Sequence, residues 1–554
     1  MNTMVRRAVP RRRGWCQWLR AVASALLLSP LLYVVAVAAT HPSALARAWT
    51  ELNVGLLMTN TALLIVATLV TATALGIPLG ILLSEVRVYG RNVLAWLLLV
   101  ALLIPLELHA MAWFAWFGTG SVAAGGGVAG ALERWLALFL DPRGSIAPLV
   151  ARVLAAGWVH GLIGAVMTAL IMQPALRQVD LALRAAALLD TKPFGVLVAV
   201  LLPQARWAIV AGLLGTLLLT ATEIVVVDLV QLLTVADAVY VAFQLEGRWH
   251  TALAASVLLL LLLGPLLVVL LRILTPIGDT VHRAPPPRPL WHGRSHAVWG
   301  TTIVWAMVTP IALAPLCALL LRTASPITTP WHSLLQALWS TRAVVGRELL
   351  VTALVSVMAG TVAVALATLW AYPPAAGSWR RCVVVAAVIG AVAPPLLGLS
   401  VALLAMRLGM AFYDSYLPLV WGLSIRCFPL ALVIVAAASG TQLREYLDAA
   451  AVDGAGVWGA WRRIWLPLMG PVCVAAFALA AVVAASDVGT AVIASPPGTP
   501  PLTVRLFGLL HYGFDDYVAG MALWLVALLV PVSLIGIGLT RYAWRNIEEL
   551  SDAR

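Results

Sequence analysis

Lysine occurs once in this chain of 554 residues, at Lys192, and that scarcity removes a class of chemistry. A phosphate-cradling loop of the form G-x-x-x-x-G-K-[ST] needs a lysine on the phosphates. Lys192 stands in Asp190-Thr191-Lys192-Pro193 with no glycine-rich run before it, and Gly125, Gly126 and Gly127 have no lysine after them and read as a loop. The chain therefore carries no ATP-hydrolysing motif of its own. Cysteine is scarce too. Cys16, Cys317, Cys382, Cys427 and Cys473 are scattered, mostly in or beside apolar runs, and form no C-x-x-C pair, which fits small apolar filling and not a disulfide or thiolate framework. His292 and His296 are four apart but have no third ligand nearby in sequence. No cluster of His, Asp or Ser marks a reaction centre, so no catalytic residue, metal or cofactor is assigned.

Charge is the next thing missing. Only 10% of residues are charged and 62% are hydrophobic, against about 25% charged in soluble proteins. Lipid must be the solvent for much of this chain. The apolar runs reach about 20 residues or more, enough for a helix to cross a ~30 Å hydrocarbon layer. They are continuous, where barrel strands alternate and are shorter. The expected fold is an all-α integral membrane protein of about 12 transmembrane helices, at 21–40, 56–83, 93–116, 147–173, 207–231, 251–275, 297–321, 346–371, 382–406, 418–440, 469–493 and 517–541. The N-terminal basic stretch and first apolar run resemble a secretory signal, with Ala44-Leu45-Ala46 as a candidate cleavage site. The run is long for a signal and more spans follow, so an uncleaved first helix is expected.

The net charge of +12 does not indicate nucleic acid, because no basic stripe interleaved with aromatics is present. With the N-terminus inside, most basic residues fall in cytoplasmic segments: Arg6, Arg7, Arg11, Arg12, Arg13 and Arg20, then the loops near 174–206, 272–294 and 441–468. The positive-inside rule places both termini in the cytoplasm. The segment Pro276 to His296, rich in Pro, Arg and His, reads as a cytoplasmic linker. It separates two six-helix repeats, 1–275 and 297–554.

The loop at 441–468 contains Asp448-Ala449-Ala450, three residues, Gly454, nine residues, then Ile464-Trp465-Leu466-Pro467. Glu445 to Val452 is helix-forming. Gly454 permits a sharp change of direction. Trp458, Trp461 and Ile464 recur at helical spacing and present an apolar ridge flanked by Arg462 and Arg463, and Pro467 fits the start of the next helix. Such a helix needs a partner groove or the lipid headgroup layer. The pattern resembles the EAA signature of binding-protein-dependent ABC importer permeases, with Asp448 in the acidic place. A weaker copy runs from Leu183-Arg184-Ala185-Ala186-Ala187 through Asp190-Thr191 to Leu201-Leu202-Pro203, 264 residues earlier. In it, Arg184 or Ala185 takes the acidic place and Asp190 or Thr191 the glycine place.

Ser486-Asp487-Val488-Gly489-Thr490 with Leu502-Thr503, and Thr222-Glu223-Ile224 with Asp228-Leu229, are similar to the regions after the two loops in fused ferric-iron permeases. Thiamine, polyamine and sulfate importers share the pattern. The resemblance implies a permease subunit in the plasma membrane (the bacterial inner membrane). It would import a small solute, ferric iron or otherwise thiamine, a polyamine or an oxyanion, from an external substrate-binding protein. Two ATP-binding cassette ATPase subunits would drive it, docked on Asp448, Ala449, Ala450, Gly454, Trp458, Trp461, Ile464, Leu466 and Pro467, and on the degenerate loop of Ala185, Ala186, Asp190 and Pro203.

Ionisable groups inside spans face a bundle interior or cavity. Here they are His160, Glu223, Asp228, Arg426 and Asp487. Glu223, Arg426 and Asp487 either line a translocation path or hold helices together. Arg426 in particular either pairs with an acidic neighbour or contacts substrate. An ion-gradient-driven secondary transporter also shows repeats and intramembrane carboxylates but has no need of the docking signature. A polytopic membrane enzyme lacks its expected cluster of polar side chains. The purified chain alone is expected to bind no ATP. Saturable nucleotide binding measured on it by equilibrium dialysis would contradict this reading of Lys192.

Overall fold

The computed structural model describes residues 10–117, 147–274, 288–323, 330–372, 378–439, 441–510 and 516–552. Gly125, Gly126, Gly127 and most of the linker fall outside them. Among the described residues there is no β-strand, only one isolated parallel bridge between Val86 and Trp291. Ten helices are long and apolar enough to cross a membrane, or twelve if each of two bent pairs is one span. The protein is an all-α membrane protein.

Contacts divide the chain into two compact units, neither of them a contiguous stretch. One comprises 1–45, 347–503 and 527–554; the other comprises 46–346 and 504–526. The first span thus belongs with the body of the second half, and the span after the linker with the body of the first.

The unit built mainly from the first half contains the end of α1 (Pro42–Glu51), α2 (Val54–Glu85), α3 (Arg91–Leu103), α4 (Leu106–Phe117), α5 (Ala147–Arg177), α6 (Leu181–Asp190) and α7 (Pro193–Thr222). Its centre is the packing of α2, α5 and α7. Lipid tails are as apolar as leucine, so helices associate through close fit and not through hydrophobic exclusion. Small residues allow that fit. A Cβ on Gly76 would lie 2.9 Å from the Ala165 carbonyl oxygen, and one on Gly212 would lie 2.8 Å from the Thr168 Cα.

The other unit holds α8 (Ser378–Gly390), α9 (Pro394–Leu408), α10 (Leu417–Ala438), α11 (Thr441–Val452), α12 (Val457–Ser486) and α13 (Val488–Ala494), with the first span, Arg20–Thr40, against α9. α10 packs on α12 and α8, burying Phe428 completely. The indole N–H of Trp421 donates to the Leu26 carbonyl at 2.9 Å.

Two spans expected to be continuous are sharply bent. α3 and α4 meet at 100°, and α8 and α9 at 81°. Both bends precede a proline. Ile104 before Pro105 and Ala393 before Pro394 are extended, with ψ of 134° and 133°. The proline ring bars its predecessor from the helical region, so the chain turns there.

Candidate functional site

The second motif loop is built from its backbone. α11 ends in a Schellman turn: the Gly454 amide donates to the Ala451 carbonyl at 3.2 Å and the Ala455 amide to the Ala450 carbonyl at 2.9 Å. That geometry needs a left-handed residue after the cap. Gly454 supplies it, with φ of +81° and open space around the missing Cβ. Asp448 and Ala449 are exposed on α11 and Ala450 is buried. The Asp448 carboxylate lies 3.6 Å from Arg444 one turn earlier. Beyond the turn, Trp458 stacks on Trp461 (centroids 5.0 Å apart) and Trp461 on Trp465 (6.0 Å). Trp465 is the buried base of the stack, braced edge-on by Tyr372, and Trp458 is its tip, 68% exposed. Ile464 is half-buried beside it, and Leu466 and Pro467 are exposed.

Two details differ from the sequence expectation, and one feature explains both. α12 starts at Val457, ten residues before Pro467, and residues Trp461–Trp465 form a single π-helical turn in which the Leu466 amide reaches back to the Trp461 carbonyl. The wider turn accommodates a proline that has no amide hydrogen to give. It also shifts the helical phase, so Trp465 and not Ile464 continues the ridge begun by Trp458 and Trp461.

The first loop repeats this design at a constant offset. α7 starts at Pro193 and carries its own π-helical turn at Leu197–Leu201 before Pro203. Every boundary from Pro193 to Thr222 recurs 264 positions later. The register needs no gap, so Arg184 takes the acidic place and Asp190 the glycine place. Ala185, Ala186, Asp190 and Pro203 are exposed, as is Phe194, the counterpart of Trp458, at 68%. α6 needs no left-handed residue, because Thr191 and Lys192 leave it in extended conformation towards Pro193.

Arg184 points inward, where Asp448 points out. Its guanidinium forms a two-armed pair with Glu85 at the end of α2, Nη1 to Oε1 at 3.1 Å and Nη2 to Oε2 at 2.5 Å. Nη2 also donates to the Arg288 carbonyl at 2.8 Å. Both side chains are buried. The last residues of the linker close over the pair, with the Trp291 amide donating to the Glu85 carbonyl at 3.0 Å and the Arg87 amide to the Trp291 carbonyl at 2.9 Å. Nothing in the sequence pointed to this cluster.

Within the spans the repeats are again equivalent. α7 stops at Glu223 and α12 at Asp487, both extended, with ψ of 137° and 105°. Glu223 accepts the amides of Val225 (2.6 Å) and Val226 (3.0 Å), and Asp487 that of Thr490 (2.7 Å). Each carboxylate therefore caps the short helix that follows its own break. Each also meets a basic side chain from the preceding long helix. His160 Nε2 lies 3.2 Å from Glu223, and Arg426 Nε donates to Asp487 at 2.9 Å. Arg426 is thus paired with an acidic neighbour, Asp487. The His160 Nδ1 faces the Ala156 carbonyl at 2.8 Å. The ring thus bridges its own helix and the Glu223 carboxylate.

Among the described residues no group of three or more His, Cys, Asp or Glu is placed to hold a metal ion. In comparison with known proteins, no family model matches the chain and no curated sequence matches it.

Removing one partner of a buried ion pair costs about 3–5 kcal/mol because the other charge is stranded. Arg184→Ala is expected to lower the thermal unfolding temperature clearly, and Glu85→Ala with Arg184→Ala less than the sum of the singles. Asp448→Ala, at an exposed pair, should cost under about 1 kcal/mol. Equal losses from Arg184→Ala and Asp448→Ala in detergent melting curves would contradict the inward assignment of Arg184.

Proposed function

We propose that this chain is the permease subunit of an ATP-binding cassette importer, not an enzyme itself. In this reading it moves a small solute from an external substrate-binding protein into the cytoplasm. The observation that carries the proposal is the loop at 441–467. It combines the complete signature spacing with a stiff build: a glycine-closed helix end, a stack of three tryptophans and an exposed tip at Trp458. A docking element transmits force only if it does not flex, and a buried aromatic base under an exposed aromatic tip provides that.

The repeat supplies a second loop, so two ATPase subunits are the expected complement, one on each. Both loops and both termini then face the cytoplasm, and the membrane is the bacterial inner membrane. Glu223, Arg426 and Asp487, at equivalent helix breaks in the two halves, are the residues proposed to lie along the translocation path. Ferric iron is the first substrate to test, with thiamine, a polyamine or an oxyanion after it.

One observation favours a second reading, a secondary transporter driven by an ion gradient. His160 and Glu223, paired in a buried setting, are side chains of the kind that proton relays in carriers use. That reading leaves the glycine turn and the tryptophan stack without a role.

Gly454→Val forces a β-branched residue into left-handed backbone and should lift the loop from its groove. Truncating an aromatic interface anchor commonly costs about 2 kcal/mol or more, so Trp458→Ala and Trp461→Ala should each weaken ATPase association by more than roughly tenfold. Phe194→Ala should cost less, since α6 is tied inward through Arg184. The readout is the amount of ATPase subunit retained on the detergent-solubilised chain. Unchanged retention in Gly454→Val and Trp461→Ala, with loss in Phe194→Ala, would contradict the assignment.

A further inference from the structure

Among the described residues, the arginines at the end of α2 outnumber the carboxylates beside them. Both oxygens of Glu85 are taken by Arg184. Two more arginines converge on the same helix end. Arg91 Nη2 donates to the Val86 carbonyl at 2.6 Å and Arg177 Nη2 to the Leu83 carbonyl at 3.2 Å. These carbonyls are three residues apart on one turn, and both guanidinium groups feel the Glu85 carboxylate, while Arg177 opposes the charge on Arg91. Among the described residues neither lies within ion-pair distance of a carboxylate. The Arg91 Nε is buried and has no hydrogen-bond partner among them.

Carbonyl contacts account for one nitrogen of each guanidinium and leave the net charge standing. The surroundings favour an anion further. Arg91 opens α3, a helix of 13 residues whose N-cap, Gly90, offers no side chain to the first amides. Arg177 closes α5, so both groups sit at ends of apolar helices. Both are half-buried and so reachable from outside.

We propose that Arg91 and Arg177 form a binding site for a phosphate group, supplied by the headgroup of an anionic phospholipid. Basic pockets between helices at one membrane face recognise such headgroups through charge-assisted hydrogen bonds. The bound phosphate would accept from the guanidinium nitrogens that the carbonyls leave over and offset the charge of the two arginines. Beside the Glu85–Arg184 pair and the linker residues closing over it, the lipid would brace the junction of α2, α5 and α6. The inference rests on the membrane architecture alone and stands or falls independently of the importer reading.

The full chain, reconstituted in nanodiscs of equal phosphatidylglycerol and phosphatidylcholine, is released and its bound lipids counted by native mass spectrometry. The expected result is one retained phosphatidylglycerol in clear excess over phosphatidylcholine. Arg91→Gln with Arg177→Gln should cut that excess by roughly tenfold or more, as two charges of about 1 kcal/mol each imply. Arg272→Gln with Arg294→Gln, removing the same charge from exposed positions, should leave it intact. If the glutamine variant does not reconstitute, the wild-type count and the Arg91→Lys, Arg177→Lys variant, expected to keep part of the excess, decide the matter. Equal excess in wild type and the glutamine variant overturns the site. A second arm titrates radiolabelled inorganic phosphate onto the chain in pure phosphatidylcholine. Saturable phosphate binding with no phosphatidylglycerol excess overturns the lipid as the source.

Discussion

In a hydrocarbon layer, the amides freed where a helix stops must find partners inside the protein, because there is no water to take their place. Both halves of this chain stop a long apolar helix at a carboxylate, at the end of a candidate span, and both answer the constraint in the same way. A carboxylate at the break, Glu223 or Asp487, turns back onto the first amides of the next short helix. The carboxylate's own charge then needs an answer, which comes from His160 or Arg426 on the neighbouring helix. A break, a cap and a counter-charge form one device, used twice. It fixes where α7 and α12 end, and through the uninterrupted length of those helices it fixes the loops at their other ends.

The two copies are not chemically identical, and the differences run in one direction. The partner of Asp487 is a guanidinium, Arg426, while that of Glu223 is an imidazole, His160. Arg184 is drawn inward to Glu85 and the linker, while Asp448 faces outward beside a tryptophan tip. The first half is therefore tied into the protein at its motif loop, and the second half presents its loop outward. The boundaries of α7 and α12 coincide residue for residue, while the turns before them differ, left-handed at Gly454 and extended at Thr191 and Lys192.

Much of this was legible in the sequence. Sparse charge and long apolar runs specify the helical membrane fold, and the offset between Pro203 and Pro467 marks the repeat. Glu223, Arg426 and Asp487 stand out because ionisable side chains are expensive in apolar runs. The partner of Glu85 was not legible, because Arg184 is 99 residues away and lies in a loop whose own pattern suggested a different role. The tryptophan stack was read one residue early, since a π-helical turn has no signature beyond a proline that α-helical geometry disfavours. The bends before Pro105 and Pro394 lay inside apolar runs that hydropathy joins into single spans. The exchange of terminal spans between the compact units depends on contacts far apart in the chain, which local periodicity does not encode.

The central proposal is that the loop at 441–467 is an outward docking element, while the loop at 181–203 is tied to its own chain through Arg184. Hydrogen–deuterium exchange on native membrane vesicles, before and after peripheral subunits are stripped with chaotrope, tests this without knowledge of the substrate. The account predicts that amides from Asp448 to Ala460 exchange faster once the peripheral subunits are gone, while those from Leu181 to Asp190 change less. Exchange at 448–460 that is the same before and after stripping, or a change confined to 181–190, would contradict it.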